Sequence, residues 1–199
     1  MAHLAAHNIS VHYEKRENIL DTPIIRELLA LCRLVVAIGR DESIADGLWP
    51  EVLSAQCFEI PTHEIWAISW RLADTRTSAD GPLHWTRELL SITNPRLRSL
   101  AIGLTAIAAR AEIESCEQVL DYLIGSQAIT THESDAPEFI SPFRSFYLAA
   151  TPSVMYDALS HLIVLRSTLR ERQNNSDHML TVRALLELCL LYTSDAADE

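Results

Sequence analysis

The chain is predicted to be all α-helical, and three observations carry that expectation. Four of its eight prolines follow a residue able to cap a helix: Thr22-Pro23, Asn94-Pro95, Ser141-Pro142 and Thr151-Pro152. Downstream of them apolar residues recur at helical spacing, and no convincing run alternates with the period of a strand. Glycine is scarce, with five in 199 residues, which leaves little material for turn-dense β architecture. The length suits one ordinary domain or a short run of repeats.

A capping side chain accepts a hydrogen bond from an orphan N–H of the first turn. Proline at the first helical position has no N–H to leave unpaired and already holds a helical φ. Each such pair therefore predicts a helix start. The first predicted helix, 22–38, is apolar on almost every side, broken only by Arg26, Glu27 and Arg33. It must be buried on most faces. Further helices are expected at 49–58, 61–75 and 82–93, where Pro50, Pro61 and Pro82 stand before helix-like stretches.

The segment 95–110 aligns Leu97, Leu100, Ala101, Leu104 and Ala108 in one stripe, with Ile107 beside it. In 112–127, Ile113, Cys116, Leu120 and Leu123 form another, leaving Glu112, Glu114, Glu117 and Asp121 as a solvated face. A helix at 142–150 is followed by 152–172, striped by Met155, Ala158, Leu159, Leu162, Leu165 and Leu169, and the last is expected at 178–188. The polar stretch from Thr130 to Ser141 reads as a loop and as the best break between parts of the structure.

Helix-starting prolines recur at 23, 61 and 95, intervals of 38 and 34 residues. Thr22-Pro23-Ile24-Ile25-Arg26 matches Asn94-Pro95-Arg96-Leu97-Arg98 in its cap, proline and arginine positions. A spacing of roughly 35–45 residues with one helical pair per unit is the range of α-solenoids. Asn94 to Ala109 resembles the first helix of a HEAT repeat, with proline, then arginine, then spaced Ala and Leu. The resemblance covers 22–128 and loosely 142–188, and it implies a HEAT-like stack of antiparallel helix pairs that binds other proteins. The segment after Pro61 departs from it, with Trp66 and Trp70 in place of smaller residues. The alternative is a non-repeating helical bundle.

The final eleven residues, Cys189-Leu-Leu-Tyr-Thr-Ser-Asp-Ala-Ala-Asp-Glu199, resemble one translated frame of a transposase-end sequencing adapter. That resemblance implies that 1–188 is the single native helical domain, that 189–199 is a non-native tail, and that the native frame runs on past Leu188. Removing Asp195, Asp198 and Glu199 takes the formal net charge from −11 to −8.

Either value gives no general attraction for nucleic acid or anionic lipid, because phosphate binding needs clustered positive charge. Fifteen of the sixteen basic residues are arginine. Arg166, Arg170 and Arg172 are spaced as the polar face of a helix. Cys32, Cys57 and Cys116 are too widely spaced for a disulfide framework or a metal pair, and Cys32 and Cys116 fall in apolar stripes as core residues. An intracellular, cytoplasmic location is expected from the cysteine usage and from an N-terminus without a signal-peptide pattern. The longest charge-free apolar stretch, between Arg98 and Arg110, is far short of a membrane span.

Phosphate-cradling glycine motifs, a Gly-x-Ser-x-Gly elbow and the zinc-protease helix are all missing; the residue four beyond His63 is Ala67. His3 and His7 share helical spacing, with His12 and Glu14 nearby, but read as solvent-facing. No catalytic residue, metal or cofactor is assigned. The tryptophans at 49, 66, 70 and 85 read first as a patch of large core residues. The functional alternative is a partner-binding groove anchored by Trp66 and Trp70, with Arg71 and Arg87 as its polar rim, since Trp and Arg are enriched at binding hot spots. The rival from another class is an all-α enzyme whose site combines His84, His132 or His161 with a carboxylate.

Overall fold

A computed structural model describes residues 19–75, 83–131 and 137–195. Among them are nine α-helices: α1 (Pro23–Ile38), α2 (Glu42–Leu53), α3 (Thr62–Thr75), α4 (Trp85–Ser91), α5 (Pro95–Ala111), α6 (Cys116–Ile124), α7 (Phe143–Leu148), α8 (Pro152–Asn174) and α9 (Val182–Asp195). A two-residue antiparallel pair, β1 (Ile129–Thr130) and β2 (Glu138–Phe139), is the only sheet among the described residues. The all-α expectation holds. The proposed non-native segment begins inside α9, and Cys189 packs half-buried against the core.

The apolar faces of α1 explain its place. Ile25, Leu28, Cys32, Leu34 and Val35 are completely enclosed. The helix is packed by α2, α5, α6, α8 and α9. Its interruptions are spent at the surface: Arg33 pairs with Glu51 on α2 at 3.3 Å, and the Tyr147 hydroxyl on α7 donates to Glu27 at 2.7 Å. The first and third proline-led helices, α1 and α5, lie directly against each other. The second, α3, sits at the margin, held by Ile65, Ile68 and Leu72. Five helices gather on α1 because it carries apolar residues on too many sides to be covered by one neighbouring pair.

Three helices open on the predicted proline, Pro23, Pro95 and Pro152, with or without a side-chain cap. Asn94 accepts from the backbone N–H of Arg96 and Leu97, as predicted. Thr22 and Thr151 make no side-chain cap; the Thr22 hydroxyl instead donates to the carbonyl of Ile19 at 2.7 Å. Pro142 is itself the N-cap of α7, and Ser141 reaches the amide of Phe143.

Three predicted helix starts are corrected, that of α9 from 178 to Val182. Helix α2 begins at Glu42, not at 49, because Asp41 caps it by accepting from Ser43, and Pro50 lies inside its last turn. Helix α6 begins at Cys116, not at 112, because Ser115 and Gln118 form a reciprocal capping box. Ile113 is consequently left 70% exposed in the connection, outside the stripe assigned to it.

The polar stretch after Thr130 does not separate two bodies. Its flanks pair as β1 and β2, and both Ile129 and Phe139 are buried in the main core. Phe139 lies on Gly103 of α5 so closely that a Cβ there would sit on the ring. Gly125 ends α6 with φ +81°, and a Cβ there would meet the carbonyl oxygen of Ser141. Glycine is required at these two places for different reasons: one admits an aromatic ring, the other a left-handed turn against a neighbouring backbone.

The acidic face expected at 112–121 is also revised. Its four carboxylates are all engaged: Glu112 with Arg40, Glu114 with Arg110, Glu117 with Arg170 and Asp121 with Arg166. The last two fasten α8 onto α6, so Arg166 and Arg170 serve helix docking as well as the surface. Among the described residues, no helix is long and apolar enough to cross a membrane.

Candidate functional site

The four tryptophans divide into two pairs. Trp49 and Trp85 are buried, as the core-patch expectation requires, and the Trp49 indole N–H donates to the buried Thr86 hydroxyl at 2.9 Å. Trp66 and Trp70 are 59% and 67% exposed, which overturns that expectation for them. The physical reason is the phase of α3. Ile65, Ile68 and Leu72 already supply its inward stripe, and residues 66 and 70 fall on the outer side with His63, Ala67 and Ala73.

The two indoles are neighbours across one helical turn. Their centroids are 6.3 Å apart and their planes tilted by 47°. Large aromatics on the outer side of a helix do nothing for its core. With 150–250 Å² per aromatic side chain, these exposures leave about 300 Å² of contiguous aromatic surface open. That is the size of the largest patch a typical monomer shows, and such patches are often functional.

The predicted polar rim is placed differently. Arg71 pairs with Glu88 of α4 at 2.9 Å and so ties α3 down beside the tryptophans. Glu64 adds a second tie by accepting from the Asn94 amide at 2.8 Å. Arg87 instead faces α2, bonding both oxygens of Glu42 at 3.2 and 3.3 Å.

There it joins a cluster that sequence reasoning pointed to only through His84. The ring lies between two carboxylates, with Nδ1 2.8 Å from Asp46 and Nε2 3.5 Å from Glu42. Asp46 uses its other oxygen to accept from the amide of Trp85, at 2.8 Å. Spacing alone could not reveal this, since Asp46 and His84 are 38 residues apart. The cluster closes the first turn of α4 onto α2. Of the other histidines in the enzyme reading, His161 is half-buried on α8, and His132 lies outside the described residues, as do His3, His7 and His12.

Two open depressions flank Arg96 at the start of α5. One, of about 260 Å³, includes Phe58, Ser99, Leu100, Glu138 and Phe139 in its lining. The other, of about 410 Å³, includes Cys57, Glu59, Ser145 and Phe146. Arg96 donates to the carbonyl of Phe58 at 2.6 Å and to Glu59 at 3.1 Å, so its charge is already matched. Among the described residues, no histidine borders either depression.

The cysteines carry little nucleophilic potential. Burial pushes the Cys57 and Cys116 thiols up to about 12 and the Cys32 thiol well above its ordinary value. A protonated, enclosed thiol is a poor nucleophile and a poor metal ligand. Among the described residues, no group of three His, Cys, Asp or Glu side chains could hold a metal ion. No family model, no curated protein and no solved structure matches the chain.

Proposed function

We propose that this chain is a protein-binding helical module that docks a partner on the outer face of α3. The observation carrying this reading is the pair Trp66 and Trp70, adjacent, tilted and mostly open to water on a helix whose core face is already complete. Rigid aromatic side chains give large contact area for little lost side-chain entropy, which is why Trp anchors interfaces. The Arg71–Glu88 and Glu64–Asn94 links supply the rigidity such an anchor needs. The HEAT-like resemblance of 94–109 agrees with a binding use. An open area of about 300 Å² is well below the ~800 Å² per partner of a stable interface, which favours a short apolar segment as occupant.

The enzyme reading has one supporting feature, His84 between Asp46 and Glu42. That cluster is accounted for by its role in joining α2 to α4.

Affinity capture tests the proposal with three proteins: wild type, Trp66→Ala/Trp70→Ala, and Tyr156→Ala/Ile163→Ala as a control. The control removes a separate exposed apolar pair on α8. A protein retained by wild type and control but lost from the α3 variant supports the reading. Equal retention by all three, with the α3 variant folded, overturns it.

A further inference from the structure

We draw no further inference here: the strongest candidate, the apolar depression between the first turn of α5 and β2 lined by Phe58, Leu100 and Phe139, carries nothing because nothing in the structure shows what covers it.

Discussion

Replacing Gly103 by alanine sets two opposing effects against each other. In an ordinary helix interior the change stabilises by about 1 kcal/mol, through better propensity and a less mobile unfolded chain. Here the added Cβ would fall within 2.5 Å of Phe139 Cδ2, and closer still to Cγ and Cδ1. Non-bonded carbons rest about 3.5–4 Å apart, so the ring must retreat by over an ångström. It has little room, because Phe139 is buried and its backbone pairs with Ile129. Overpacking of this kind costs about 1–3 kcal/mol, and expelling the ring approaches the ~3–5 kcal/mol of a Phe→Ala deletion. The expected balance for Gly103→Ala is a net loss of about 1–3 kcal/mol.

Urea unfolding should show this as a lower midpoint with an unchanged slope, and Tm should fall by roughly 3–10 °C. A double-mutant cycle identifies the cause. Once Phe139→Ala has removed the ring, adding Gly103→Ala should cost nothing or restore some stability, giving a coupling of at least about 1 kcal/mol. If Gly103→Ala raises Tm on its own, or if the two changes simply add, the close approach of α5 and β2 is wrong.

Three further outcomes follow from buried or capping groups. Thr86→Val leaves the Trp49 indole N–H without its acceptor in a closed site and should cost about 1–3 kcal/mol by chemical denaturation; a loss under 0.3 kcal/mol would show that the bond is not made. Hydrogen bonds from Ser43, first through its hydroxyl and then its amide, hold the Asp41 carboxyl below its ordinary value. A depressed carboxyl contributes stability above its unfolded pKa and loses it as pH falls through the folded one. The wild type should therefore lose more stability than Asp41→Asn between about pH 5 and 2, and parallel acid titrations of the two proteins would contradict the cap. Finally, Cys32, Cys57 and Cys116 should resist a thiol reagent at pH 8 until denaturant is added; fast native labelling of any of them, mapped by mass spectrometry, would refute their enclosure.

Much of the interior was legible because burial follows periodicity. Leu97, Leu100, Ala101, Leu104, Ile107 and Ala108 all lie inside, and the nearly all-apolar segment 22–38 became a helix with nine buried residues. Boundaries were less so where a cap other than a proline pair governed. The Asp41-x-Ser43 and Ser115-x-x-Gln118 signals were present, but proline spacing and apolar stripes outweighed them. For the site, the spacing of Trp66 and Trp70 marked a shared face without saying which way that face pointed.

What the amino-acid order determined by itself was local: which segments become helices, and which residues share a stripe along each of them. Those follow from interactions within a few residues along the chain. Only the tertiary structure decided that α1 and α5 meet directly, that Asp46 reaches His84, that Glu117 and Asp121 receive arginines from α8, and that α3 shows its tryptophans to water. Each of these depends on partners 38 or more residues distant, or on which apolar stripe of a helix finds a neighbour first. Two stripes on one helix compete for a single core, and packing against the rest of the molecule chooses between them.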